Sequence, residues 1–277
     1  MEEIKGGNEV TQEQLNKVVH FMNKRKRIDL CSYRQSFIFR HLRSRMSDLN
    51  ILDSLDYITY LKNNPKEIDL FLEDLSINVT HFFRDPEVFT AFQKGPLAQL
   101  ISRKTKSNLN LIRLWSAACA SGQEPYSLAI MMSEALGNRS DFMVKIWATD
   151  VDSEALEKAR IGEYEEKDLK EAGNKILEKY FKPVYNGKYS VKDTIRKMVR
   201  FEKQNLISEP GLKFIDAVFC RNVMIYFSRE QQETLFGKFY NSLNSEGYLV
   251  IAKVESIWNK EMFVNIDPYN KIYQKAS

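Results

Sequence analysis

From Thr11 to about residue 76, apolar residues recur at spacings of three and four without strict alternation, which predicts helices throughout. Thr11 followed by Gln14 has the form of a capping box, in which each side chain satisfies the other's backbone N–H. The run from Tyr33 to Met46 is the most informative. Ile38, Phe39, Leu42 and Met46 make an apolar stripe, while Arg34, Arg40, Arg43 and Arg45 fall off it, so a helix with a basic, exposed surface is expected. From about residue 108 short apolar runs alternate with helical stretches, the pattern of an α/β domain with a largely parallel sheet. Strands are predicted from Leu109 to Ser116, Val144 to Thr149, Val199 to Glu202, Ile215 to Cys220 and Tyr248 to Ala252. Pro125 suits the first position of one helix, Asp152 or Ser153 caps the next, and Ser228 opens another. Tyr164 to Met198 is too long for a simple connection, and Tyr269 to Gln274 predicts an antiparallel hairpin strand.

Composition adds exclusions. At 277 residues the chain has room for two cores, and 43% hydrophobic residues with only 11 Gly and 7 Pro exclude a disordered or fibrous protein. A net charge of +4 is too weak to imply nucleic acid. Cys31, Cys119 and Cys220 stand far apart with no C-x-x-C pair, which argues against a disulfide framework or a zinc cage and fits a reducing cytoplasm. The start MEEIKGGNEV has no leader-like pattern, and no apolar run approaches the roughly 20 residues of a membrane span, so neither secretion nor membrane insertion is expected. His20, His41 and His81 form no ligand cluster with nearby acids, and no metal site is expected.

Open α/β sheets bind ligands beyond the carboxyl ends of their strands, so candidate residues are those that follow strand ends. The first such loop, residues 116 to 127, keeps Ala117, Ala118, Ala120, Ser121 and Gly122 small, which lets a ligand approach the backbone. It lacks the G-x-G-x-x-G of a dinucleotide site, and Glu124 at the helix entry repels phosphate. A carboxylate there suits a ligand with a positive or amino-bearing portion, as S-adenosylmethionine has; an ordinary tight turn with a helix-start acid is the competing reading. Asp150 ends the second strand, where an acid can meet ribose hydroxyls, although Asp150 and Asp152 also read as caps of the next helix. Asn205-Leu206 and Arg221-Asn222 follow the third and fourth strands, so polar groups recur at one sheet edge.

WSAACASGQEPYSLAI, ATDVDSEALEKAR, FEKQNL and DAVFCRNVMIYF, preceded by NVTHFFRD, resemble in order the signature blocks of the chemotaxis receptor methyltransferase (CheR) family, and the likeness spans essentially the whole chain. It implies an all-helical N-terminal domain over residues 1–76 and, over 77–277, a linker and a Rossmann-like S-adenosylmethionine methyltransferase sheet with a small β-subdomain at about 164–198. It implies cofactor contacts from Asn78, Thr80, Arg84, Glu124, Asp150, Asn205, Leu206, Arg221 and Asn222, with Arg84 and Tyr226 flanking the reacting groups. The expected reaction is methylation of glutamate side chains on the cytoplasmic helical domain of chemotaxis receptors, with S-adenosylhomocysteine as product. The receptor would be met through Arg34, Arg40, Arg43 and Arg45; a plain solvated face is the alternative for that surface. Members that tether to a receptor C-terminal pentapeptide carry a glycine-bearing β-loop extension. FKPVYNGKYSVKD has none, and Asn186-Gly187 reads as a two-residue hairpin turn, so the chain is expected to be pentapeptide-independent. Two departures stand out: Gln123 replaces a first glutamate, and Lys253-Val254 precede Glu255 in place of a Gly-His-Ser-Glu ending. The altered ending leaves a cofactor-binding but non-catalytic sensor as the rival reading. A nucleic-acid methyltransferase is disfavoured, because neither an Asn/Asp-Pro-Pro-Tyr motif nor a catalytic cysteine occurs.

Overall fold

The computed structural model describes residues 11–26, 30, 33–75, 80–257 and 261–276. The chain divides into two compact units, one comprising residues 1–77 with Tyr226–Ser228 and the other residues 78–225 with 229–277.

The first unit holds α1 (Gln12–Lys26), α2 (Gln35–Asp48), α3 (Ser54–Asn63) and α4 (Lys66–Leu75). The capping box forms: Thr11 N donates to Gln14 Oε1 at 2.7 Å, and Gln14 N donates to Thr11 Oγ1 at 3.3 Å. Asp53 caps α3 by accepting from Leu55 N and Asp56 N. The stripe of α2 is buried as expected and is widened by Phe37, packing with Leu15, Met22, Tyr57, Leu61 and Phe71.

The basic face of α2 needs one correction. Arg40 and Arg43 are exposed. Arg45 is not: it forks onto Glu67 of α4, with Nε to Oε1 at 2.9 Å and Nη2 to Oε2 at 2.7 Å, and Nη1 reaches Asp74 at 3.2 Å. The reason is tertiary. Arg45 borders the Leu42–Met46 stripe, where α4 brings up an acid that is 3% exposed and also accepts from Tyr57 Oη. Arg34 is exposed, and its Nε donates to Phe227 O at 3.1 Å within the same unit. Arg40 and Arg43 line a groove of about 520 Å³ with Gln12, Gln35, Ser36 and Phe39.

The second unit opens with α5 (Pro86–Phe92), a π turn (Gln93–Leu97) and α6 (Ala98–Lys106). Its main sheet contains β1 (Leu111–Ala117), β2 (Met143–Asp150), β6 (Val199–Lys203), β7 (Ile215–Cys220), β8 (Leu243–Ile251), β9 (Phe263–Asp267) and β10 (Ile272–Lys275), in the order β6-β2-β1-β7-β8-β10-β9. The first five are parallel, and β10 runs antiparallel to β8 and to β9. All five parallel strands fall where the sequence predicts them, and the C-terminal strand pairs antiparallel as expected. The hairpin partner β9 was not foreseen, since FVNID is exposed at three successive positions and shows no alternation. β1 comes first in the chain yet lies between β2 and β7, so strand order reverses there, the place where open α/β sheets bind ligands.

Helices α7 (Gln123–Leu136), α8 (Ser153–Ile161) and α11 (Arg229–Ser242) cover the sheet. Helix α7 starts two residues ahead of Pro125, with Gly122 as its N-cap, and Asp152 caps α8 through Glu154 N and Ala155 N. Tyr126, Phe92, Phe219 and Tyr248 lie in the principal core, and Trp115 packs edge-on against Phe239 of α11. Between α8 and β6 stands a second, antiparallel sheet of β3 (Glu163–Glu165), β5 (Lys188–Val191) and β4 (Phe181–Pro183), with α9 (Asn174–Tyr180) and α10 (Asp193–Arg196). Its hairpin differs from expectation by one residue: Pro183 pairs with Tyr189 and Val184 N donates to Lys188 O, so the loop is Tyr185–Gly187. Asn186 and Gly187 both take positive φ, 63° and 70°, as the Asn-Gly signal requires, but Tyr185 joins the loop and is 88% exposed.

Candidate active site

The loops after β1, β2 and β7 and the segment before α5 are joined to one another beyond the carboxyl end of β1. Glu124, in the first turn of α7, accepts from Ser116 Oγ at 2.8 Å and faces Arg221 Nη1 at 3.5 Å. Arg221 follows β7 and its side chain is 2% exposed. Its Nη2 donates to Arg84 O at 2.8 Å and to Asp85 Oδ2 at 2.5 Å. Arg221 therefore ties NVTHFFRD to the first strand loop. Its buried Nε has no hydrogen-bond partner among the described residues.

Asp150, 8% exposed at the end of β2, accepts from Ala120 N at 2.8 Å and Asp152 N at 2.9 Å. The two acids of this loop divide the roles that the sequence left open: Asp152 caps α8, and Asp150 joins the loops after β1 and β2. Burial raises the pKa of Glu124, with Arg221, Ser116 and the more weakly acting Arg84 pulling it back, and burial likewise raises that of Asp150 against its backbone N–H donors. Two desolvated carboxylates, one in the first turn of α7 and one at the end of β2, favour a cationic ligand.

The backbone here is strained. Phe83, Asp85, Ala118, Ala120 and Asn222 all have positive φ, between 46° and 61°. Each costs on the order of 1 kcal/mol for a residue with a Cβ and persists only where its surroundings enforce it. Gly122 answers a different need from the one its sequence suggests. A Cβ there would lie 2.7 Å from Ala159 Cβ and 2.9 Å from Tyr164 Oη, so glycine lets the loop close against α8 and β3. Tyr164 Oη then donates to Ser121 O at 2.8 Å. Phe82 is buried, edge-on to Tyr164 and Phe181 of the small sheet.

The remaining site residues spread outward. Thr80 is half-buried before Phe82, and Asn78 lies outside the described residues. Asn205 and Leu206 sit in the turn after β6, where Gln204 N donates to Asp150 O. Asn205 Oδ1 accepts from Ile207 N and Ser208 N, which winds that turn. Tyr226 groups with the helical unit, its ring 4.6 Å from that of Phe37. Asp85 and Glu255 were missed. Asp85 precedes Pro86 and reads as a helix cap, yet it makes no capping bond and serves Arg221 instead. Glu255, 5% exposed, accepts from Met224 N at 3.0 Å and Ala252 N at 2.8 Å, linking the chain after β7 to the end of β8. The retained acid beside the altered Lys253-Val254 was the available signal. Lys253 itself ion-pairs with Glu87.

Comparison with known proteins gives two family matches. Residues 78–271 match the model described as "CheR methyltransferase, SAM binding domain", and residues 13–76 match "CheR methyltransferase, all-alpha domain". The chain belongs to the CheR methyltransferase family. A chemotaxis protein methyltransferase of Borreliella burgdorferi is 34% identical over 90% of this chain and 89% of its own length. One from Listeria monocytogenes is 33% identical over 84% and 86%, and chemotaxis protein methyltransferase 2 of Pseudomonas aeruginosa is 33% identical over 89% and 87%.

The cofactor of this family domain is S-adenosylmethionine, and the residues present suit it. Its amino acid portion carries an ammonium, a carboxylate and a sulfonium. Glu124 and Asp150 supply desolvated negative charge, and the unpartnered Arg221 Nε supplies a donor. No described helix is long and apolar enough to cross a membrane.

Proposed function

We propose that this CheR family member methylates glutamate side chains on the cytoplasmic helices of chemotaxis receptors, forming methyl esters in the cytoplasm. The observation that carries the reading is the Glu124–Arg221–Asp85 cluster beside Asp150 at the strand-order switch, in a chain matched over 78–271 by a SAM-binding methyltransferase domain. When bound, the cofactor supplies a methyl group on sulfur that leaves as a neutral thioether. A glutamate of pKa about 4.3 is already ionised near neutral pH, so no general base is needed. The protein's task is alignment and exclusion of water. Glu124 and Asp150 are assigned to the ammonium and ribose ends of the cofactor, with Asn78, Thr80, Asn205, Leu206, Arg221 and Asn222 completing its contacts. Arg84 is assigned to the reacting carboxylate, and Tyr226 is the second catalytic assignment, on the strength of its motif.

For the receptor we assign Arg40 and Arg43, which remain exposed on α2 and suit a glutamate-rich partner. The compact Tyr185–Gly187 loop supports recognition without a receptor pentapeptide. The test is incubation with methyl-labelled S-adenosylmethionine and receptor cytoplasmic fragments. Label released by mild base marks esters; base-stable label, or none, would contradict the assignment.

A further inference from the structure

The turn after β6 is held by a cation from α11. Lys238 Nζ donates to the carbonyl oxygens of Leu206, Ile207 at 3.1 Å and Glu209 at 2.5 Å. The turn is wound on Asn205 and closed by Gln204 Nε2, which donates to Pro210 O at 2.8 Å, while Gln204 N fastens it to Asp150 O at 2.9 Å. Beyond it Gly211 presses on α11, where a Cβ would fall 2.5 Å from Ser242 Oγ and 2.8 Å from Lys238 Cγ. Three carbonyl dipoles that converge on one point repel each other, and a single ammonium with three donors satisfies them all. Charge-assisted bonds of this kind are the stronger ones, and they fix a turn whose own backbone pairing is sparse.

We infer that Lys238 is a positioning residue for the cofactor, holding the turn in the conformation that presents Asn205 and Leu206. The inference rests on the assignment of those two residues as cofactor contacts. Lys238 itself holds the turn from α11, through the turn's main-chain oxygens. Losing it frees three carbonyls without touching Glu124, Asp150 or Arg84.

The test uses the full chain and S-adenosylhomocysteine as the probe, with calorimetry on Lys238→Met, Lys238→Gln and Leu206→Ala. Lys238→Met is expected to raise Kd about tenfold, and Lys238→Gln, which keeps two donors, less than that. In receptor methylation the KM for S-adenosylmethionine should rise by a larger factor than kcat falls, and amide exchange at Ile207 and Ser208 should speed up. A role in stability alone would lower the melting temperature and leave Kd of the folded protein unchanged. An unchanged Kd in both Lys238 variants, with Leu206→Ala weakened, overturns the inference and leaves the cofactor assignment standing. An unchanged Kd in Leu206→Ala removes the turn from the cofactor site and overturns both.

Discussion

Arg45 of the helical unit and Arg221 at the sheet edge are both largely buried arginines ion-paired to two carboxylates, yet they do different work. Arg45 satisfies Glu67 with two nitrogens and Asp74 with the third, so the group is closed on itself. Arg221 spends Nη1 and Nη2 on Glu124, Arg84 O and Asp85 and keeps a buried Nε that has no partner among the described residues, at the point where strand order reverses. Burial and pairing therefore do not mark a site by themselves. An unfinished hydrogen-bond set beside desolvated acids, at that switch in strand order, does.

The comparison is sharpened most by removing each arginine. Arg45→Ala strands Glu67, and Arg221→Ala strands Glu124, so each should cost roughly 3–5 kcal/mol in urea unfolding. Only Arg221→Ala should abolish S-adenosylhomocysteine binding by the folded fraction. Equal loss of binding in Arg45→Ala would erase the distinction.

Glu255 gives a pH-dependent effect of somewhat smaller size. Burial pushes its pKa up to about 7 against the pull of Ala252 N, Met224 N and Arg221. A carboxyl raised in the folded state contributes stability that is complete below its unfolded value near 4.5 and is lost as pH rises through 7. Over that window the loss is a few kcal/mol, since one pH unit of displacement corresponds to about 1.4 kcal/mol. Denaturation of Glu255→Gln between pH 4.5 and 7.5 should show this decline reduced; an unaltered slope would assign it to other groups.

On α2, reversing Arg40 and Arg43 to Glu should slow receptor methylation about tenfold or more at low salt, with stability changed by less than about 0.5 kcal/mol per site. Added salt should slow the wild type in the same way. Unchanged receptor kinetics would return this face to plain solvated surface. The smallest expected effect is none: titration with a receptor C-terminal pentapeptide should show no saturable binding, and a micromolar isotherm that shifts on mutating residues 183 to 190 would reverse that expectation.

What the sequence disclosed follows from the range over which each signal acts. The Thr11–Gln14 box, the Asp152 cap and the five parallel strands are local patterns, and each appears close to where it was expected. Arg45 was misjudged because its partner comes from another helix 22 residues away. Asp85 was missed because its partner, Arg221, lies 136 residues on. Gly122 was legible as small, but only the approach of Ala159 and Tyr164 explains why. The site motifs reported which residues stand at strand ends, not which of them bond one another.

The central claim is that Glu124 at the start of α7 and Asp150 at the end of β2 hold the cofactor, and calorimetry with S-adenosylhomocysteine on Glu124→Gln and Asp150→Ala tests it most directly. Each variant should remain folded and lose about 1.5–3 kcal/mol of binding, roughly a tenfold to a hundredfold rise in Kd. Wild-type affinity in both folded variants would contradict the account.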